Sequence, residues 1–219
     1  MARALSLAEQ LSVGLQALQL TLSPQVQQQL LDYVALLHKW NRVYNLTAVR
    51  EPAEMVTRHL LDSLAVWPYV QGRRVLDVGT GAGLPGIPLA IVSSELNPQR
   101  EFVLLDSNSK KTRFVLQAVT ELGLRNVQVV QSRIEELTAA EGFDTVLSRA
   151  FASVADMLAG CGRQCAGDGI ILAMKGADPQ AELTDLDPAF AVEVVHRLTV
   201  PGLAEERHLV CLRRGDEAE

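Results

Sequence analysis

Residues 75–86 read VLDVGTGAGLPG, and the rest of the fold can be worked outward from them. Val75, Leu76 and Val78 form a short apolar run of strand type that breaks at Gly79, Gly81 and Gly83. A helix is expected to start near residues 84–86 and to continue through the apolar segment LPGIPLAIV. Strand, glycine-rich turn and helix in that order let the backbone turn tightly and approach a ligand. The free N–H groups of the helix point into the same space.

Downstream, FVLLD, VQVV, FDTVLS and IILAMKG read as further strands, and amphipathic helices lie between them. Such alternation implies a parallel sheet covered on both faces. VEVVHRLTV and HLVCLR have no helix-length connection and are expected to form an antiparallel pair at the sheet edge, joined by PGLAEER. Upstream of Gly72 the texture is helical. Ser6 with Glu9 three residues on is a capping-box pattern, followed by Leu7, Leu11, Leu15 and Leu18 on one face. Ser23-Pro24 opens a second helix, with Val26, Leu30, Val34, Leu37 and Trp40 at helical spacing. A third helix is expected over residues 53–66, stopped by Pro68 and Gly72. The organisation is a helical extension over 1–71, an α/β domain over 72–214 and an acidic tail over 215–219.

Composition narrows the function classes. The chain has 219 residues, 48% hydrophobic and 21% charged, with a net charge of −6. Its mean hydropathy is +0.12. This supports a sizeable core and excludes a disordered or fibrous chain. A uniformly basic nucleic-acid-binding surface is excluded too, although a local basic patch is not. The 3 cysteines (Cys161, Cys165 and Cys211) accompany no sustained apolar leader and no apolar stretch long enough to span a bilayer. A reducing cytoplasm with free thiols is expected, and a monomer. Cys161 and Cys165 in GCGRQC, on an expected helix, do not complete a zinc site; no metal is expected.

The glycine turn leaves two cofactors open. Gly81, Gly83 and Gly86 satisfy G-x-G-x-x-G, and Asp106 ends the next strand, where a carboxylate can accept hydrogen bonds from a ribose diol. NAD and S-adenosylmethionine both fit these residues. Asp77, at the strand end before the first glycine, favours the methyl donor: it repels a pyrophosphate and attracts an ammonium and a sulfonium. The competing reading is that Asp77 only caps the turn. The fold expected is therefore a Rossmann-like sheet of the class I S-adenosylmethionine-dependent methyltransferase type, with an antiparallel C-terminal edge and an N-terminal helical extension.

LHKWNRVYNLTAVR, RHLLDS, VLDVGTGAGLPGIPLAIV, FVLLDS, QSRIEE, FDTVLSRAFAS, AMKG and ERHLV occur in this order. Together they resemble the bacterial ribosomal small-subunit methyltransferase G family, also called glucose-inhibited division protein B. The resemblance runs over about residues 37–212. It implies methyl transfer from S-adenosylmethionine to guanine N7 in the decoding region of 16S rRNA, with that RNA or the small ribosomal subunit as partner. It also implies donor contacts at Gly79, Leu84, Asp106, Ile134 and Glu135, and Arg149 at the junction of donor and substrate. Ala82 stands where many members carry proline, which leaves the glycines untouched.

Guanine N7 carries no proton, so its methylation needs alignment and no general base. The sequence agrees in lacking an N-P-P-aromatic segment for an exocyclic amine and a Pro-Cys nucleophile for a pyrimidine carbon. Arg149 and Lys175 follow strands on the ligand-binding edge. Arg149 either contacts guanine O6 or a phosphate, or forms a salt bridge with Asp77 or Asp106; the resemblance favours the first. Glu135 also completes Ser132-x-x-Glu135, a capping box. For RNA, Lys110, Lys111 and Arg113 crowd the start of a helix, where cations oppose its dipole, and with free N–H groups they suit an anion. Lys39, Arg42, Arg50 and Arg58, with His59, form a second basic group, and solvated surface charge is the alternative for both. Trp40 and Tyr44 read as core more readily than as base-stacking platforms. His38, His196 and His208 read as structural. Two other functions stay open: a small-molecule methyltransferase and a non-catalytic nucleotide-binding module.

Overall fold

A computed structural model describes residues 5–138 and 141–215. The acidic tail expected at 215–219 lies outside the described residues except for Gly215. Seven strands form one sheet: β1 (Arg74–Val78), β2 (Glu101–Asp106), β3 (Val127–Gln131), β4 (Phe143–Ser148), β5 (Cys165–Lys175), β6 (Phe190–Leu198) and β7 (Arg207–Arg214). Their order is β3-β2-β1-β4-β5-β7-β6. The first five are parallel, and β7 runs antiparallel to both β5 and β6. The expected antiparallel pair is present, with β7 inside the sheet and β6 at its edge. Burial explains this. Residues 208–212 of β7 are all buried, whereas no residue of β6 is, and a strand covered on both faces belongs in the interior.

Period-two alternation sends Val75 to one face of the sheet and Leu76 and Val78 to the other. The first face is covered by α5 (Gly86–Leu96), α6 (Ser109–Glu121) and the N-terminal helices, in one continuous core. α5 is buried over all of Gly86–Ser93, because α2 (Pro24–Tyr44) lies across it. α7 (Val154–Cys161) covers the second face. α1 (Leu7–Ala17) begins with the expected capping box between Ser6 and Glu9, and α2 with Ser23 accepting from the Val26 amide. Trp40 stacks on Tyr44 at 5.4 Å and tilts against Phe114 of α6 at 6.0 Å, so both rings are half-buried packing residues.

Two local expectations change. The third helix is α3 (Pro52–Met55), a π-helical turn over Val56–Leu61 and α4 (Asp62–Leu64). Such turns insert a residue and rotate the side chains beyond it, and they concentrate at functional sites. Cys161 closes α7 while Cys165 opens β5, so the two thiols do not share a helix. All three thiols are buried.

Candidate active site

The carboxyl ends of β1, β2 and β3 frame a cleft of about 190 Å³ lined by Gly79, Asp106, Ser107, Arg133, Ile134 and Glu135, among others. The glycine turn shapes its floor. Gly79 has φ +68°, and a Cβ there would stand 2.6 Å from that of Ala150, on the loop after β4. Gly81 has φ +61°, but a Cβ would meet nothing closer than a carbonyl oxygen at 3.9 Å. Close approach of two chain segments fixes the first glycine, and backbone conformation alone fixes the second.

Asp77 is completely buried. Its Oδ2 accepts from the Thr80 hydroxyl at 2.7 Å and the Gly86 amide at 2.9 Å, while Oδ1 has no partner among the described residues. The turn-capping reading and the ligand reading therefore divide the two oxygens between them. Burial pushes the carboxyl up to about 6, against the Thr80 and Gly86 hydrogen bonds and the nearby Arg149 charge. A buried, unpaired carboxylate oxygen beneath the glycine turn suits a cationic ligand group. Asp106 Oδ2 accepts from the Gly81 amide and Oδ1 from the Asn108 amide. Each oxygen retains a second lone pair for a ribose hydroxyl. Leu84 is buried under the turn, with its amide bonded to the Thr80 carbonyl.

Glu135 lies exposed on the cleft wall, and its carbonyl accepts from Arg163. The expected capping box is not formed: Ser132 bonds Glu136, and the segment is a single 3-10 turn (Ile134–Glu136). The cap of this turn is Arg133, so Glu136 rather than Glu135 stands three residues beyond it.

A second pocket, of about 320 Å³, is lined by Val49, Arg58, His59, Asp62, Arg149, Met174, Lys175, Gly176 and Arg207. Arg149 Nη1 binds Asp62 Oδ2 at 3.0 Å, and Arg207 Nε binds Asp62 Oδ1 at 2.9 Å. The salt bridge foreseen with Asp77 or Asp106 is thus made with Asp62, a residue the spacing arguments passed over. The turn after β4 explains why: Ser148 Oγ donates to the Val78 carbonyl and accepts from the Ala150 amide. That link pins Ala150 over Gly79. Lys175 Nζ donates to the Ala152 carbonyl at 2.7 Å and pairs with Glu182 at 2.9 Å, so it fastens the same loop.

His59 lies between Thr47 and the Arg58 carbonyl. A carbonyl only accepts, so Nδ1 carries the proton and Nε2 accepts from the Thr47 hydroxyl. Burial, helped by the Arg149 charge, holds the imidazole down at about 4.

The basic groups are only partly assembled. Asn108 caps α6 and its side chain takes the Lys110 and Lys111 amides. The free N–H groups expected there are therefore occupied, and only the side-chain charges of Lys110, Lys111 and Arg113 are presented, with Lys111 Nζ 4.0 Å from Asp106. The second group does not form one patch. Arg58 lines the Asp62 pocket and pairs with Glu205. Arg50 bonds Asn41 and Asn45 at the end of α2. Lys39 lines a different pocket, with Glu121 and Leu122, and Arg42 is exposed. A shared helical region does not imply a shared face.

A mostly parallel sheet with its one antiparallel strand next to the edge, and a glycine turn opening a cleft at β1, is the architecture of S-adenosylmethionine-dependent methyltransferases. A methyltransferase structure from Aquifex aeolicus superposes over 74% of this chain and 93% of its own, with TM-score 0.53 at 18% identity. Residues 26–210 match the family described as rRNA small subunit methyltransferase G, and the chain belongs to that family. Proteins named ribosomal RNA small subunit methyltransferase G are similar over most of its length. The one from Shewanella amazonensis is 54% identical over 94% of this chain and 98% of its own. The one from Methylococcus capsulatus is 57% identical over 85% of this chain and 88% of its own. The protein is thus a methyltransferase of small-subunit ribosomal RNA with S-adenosylmethionine as its cofactor.

Asp62 and Arg207 are the residues that residue-by-residue reasoning missed. Both lie in the motifs RHLLDS and ERHLV, whose recurrence in order was the available signal.

Proposed function

We propose that the protein methylates N7 of a guanine in the decoding region of 16S rRNA, with donor and acceptor on either side of the Arg149 loop. One observation carries this reading: among the described residues, the imidazole and the carboxylate that line the pocket beside Arg149 are already engaged. His59 has both ring nitrogens engaged, and both oxygens of Asp62 are committed to arginines. Guanine N7 offers an in-plane lone pair and loses no proton, so alignment suffices. Bound S-adenosylmethionine supplies the electrophilic methyl group. Transfer to N7 would leave sulfur its bonding pair and the guanine ring the positive charge, so the residues of this chain would need only to bind, orient and exclude water.

In this reading Asp77 Oδ1 faces the cationic part of the donor, Asp106 takes the ribose, Gly79 and Gly81 give backbone clearance, and Ile134 and Glu135 flank the base. Arg149 orients the acceptor, and Lys175 acts by holding the Arg149 loop. Lys110, Lys111 and Arg113 meet RNA phosphates at the rim, and Arg58 enters from the N-terminal extension (1–71), which is part of the working unit. Among the described residues no helix is long and apolar enough to cross a membrane. A monomer acting in the cytoplasm fits the reading.

The test is single-turnover transfer to small subunits and to deproteinised 16S rRNA, with the product mapped by mass. N7-methylguanine and a rate flat from about pH 6.5 to 8.5 are expected, because no essential base titrates there. Methylation at an exocyclic amine, or a bell-shaped profile, overturns the reading.

A further inference from the structure

We infer that Asp62 is a positioning residue for the acceptor guanine: it holds Arg149 and Arg207 as a fixed pair and offsets their charge while the guanine becomes cationic. This rests on the N7 reading above.

The geometry is specific. Asp62 comes from α4, just after the π-helical turn, Arg149 from the loop after β4 and Arg207 from the start of β7. Three distant parts of the chain meet on one carboxylate, and each oxygen takes one guanidinium. The Asp62 side chain is only 4% exposed, whereas those of Arg149 and Arg207 keep 29% and 22%. The carboxylate is therefore sealed beneath the arginines, which both line the pocket, with Arg207 also donating from Nη1 to the Glu206 carbonyl. A guanidinium has five donors in a rigid plane. Fixing one edge orients the rest toward an acceptor such as guanine O6, which neighbours N7.

Charge balance gives the second argument. The pocket carries Arg58, Arg149, Lys175 and Arg207. Glu205 pairs with Arg58 and Glu182 with Lys175, and among the described residues Asp62 is the carboxylate in salt-bridge contact with the other two. RNA binding favours an excess of positive charge. Methyl transfer to N7 does not, because the ring itself turns positive beside the arginines, and the buried carboxylate beneath them offsets their charge. Removing its charge should therefore push binding and transfer in opposite directions, whereas removal of a merely structural bond pushes both down.

The experiment compares wild type with Asp62→Asn. Donor affinity by calorimetry should stay within about threefold, less than the effect of removing one charged hydrogen bond. Affinity for small-subunit RNA, measured with S-adenosylhomocysteine bound, should hold or rise, with a steeper dependence on salt. The single-turnover rate at saturating RNA should fall on the order of 10²-fold, as for a misaligned reacting pair. If Asp62→Asn does not fold, Arg207→Lys serves: it keeps the charge and loses the fork. It should slow transfer without changing the salt slope. A wild-type rate in either variant overturns the inference, as does a fall in rate that donor and RNA affinity follow in parallel. Product mapping of the wild type keeps the two claims separate: an amine product sinks the N7 reading, whereas N7 product with a normal Asp62→Asn rate sinks only the role of Asp62.

Discussion

The donor cleft and the Asp62 pocket adjoin the same loop but are built differently. The cleft is backbone architecture: one contiguous turn, three glycines of positive φ, and two carboxylates that each accept from nearby amides and keep capacity to spare. The pocket is a side-chain constellation, with charges drawn from residues 58–62, 149, 175 and 207. The first is specified by local conformation and the second by long-range folding. The loop at Ala150 joins them, because it rests on Gly79 while the preceding residue reaches Asp62.

Gly79→Ala should therefore break the separation between the two regions. It combines strained φ with a 2.6 Å approach to Ala150, and about 2–4 kcal/mol is expected from strain and overpacking together. Donor affinity and transfer should both fall, even at saturating donor. Gly81→Ala shares the strain but meets open space, so it should cost about 1–2 kcal/mol and leave transfer at saturating donor intact. Thermal melts and single-turnover rates on both variants check this. Equal behaviour would mean that the approach of the loop to Gly79 couples nothing.

Titration offers a second comparison, because the two regions respond to acid with opposite sign. Asp77 has a folded value of about 6 against an ordinary 3.8, so its contribution to stability declines as pH rises through that window. His59 has about 4 against 6.5, so its contribution is present above pH 6.5 and is lost as pH falls toward 4. Each shift is worth on the order of 3 kcal/mol, and in the ligand-free wild type the two oppose each other. Relative to wild type, Asp77→Asn should lose stability on acidification and His59→Gln should gain it. Urea titrations between pH 4 and 6.5 decide, and parallel curves would refute the assignment.

The same carboxyl predicts how the donor binds. Below about pH 6 a proton must leave Asp77 before a cationic ligand is favoured, so affinity should fall by up to about tenfold per unit. Asp77→Asn should remove that dependence and weaken binding at neutral pH by about 1–3 kcal/mol. Calorimetry across pH measures both, and a pH-independent wild type would leave Asp77 to the turn alone.

Smaller effects are expected at the rim. Replacing Lys110, Lys111 and Arg113 with Gln should leave donor affinity unchanged and flatten the salt dependence of RNA binding, by up to about 0.7 for each phosphate released. Helix α6 should be no less stable, since three cations leave the positive end of its dipole. Filter binding at several salt concentrations tests it; an unchanged slope moves RNA binding to Arg58 and Arg42. The smallest effect is none: Cys161→Ser and Cys165→Ser should retain activity, because burial pushes these thiols up to about 12 and 11.

Much of the donor side was legible in residue order. The turn at 79–83, the strand ends at Asp77 and Asp106, and the helix start at Gly86 each come from local propensity. β7 lies inside the sheet, which HLVCLR foreshadowed by being the more continuously apolar of the last two segments. What sequence spacing could not supply was pairing. It offered Arg149 the site's own carboxylates, while Asp62 lay 87 residues away in a helix that reads as packing. It grouped Lys39 with Arg58 because both are basic and N-terminal, yet they line different pockets.

Residue order sets the alternation of strands and helices, the glycine turn and the carboxylates at its margin. These depend on steric limits and hydrophobic periodicity within a few residues. The tertiary structure alone decided that one oxygen of Asp77 stays unpaired, that Asn108 occupies the amides of α6, and that Asp62 receives two arginines. Those outcomes depend on which groups share a desolvated volume, and close packing of the whole chain sets that volume.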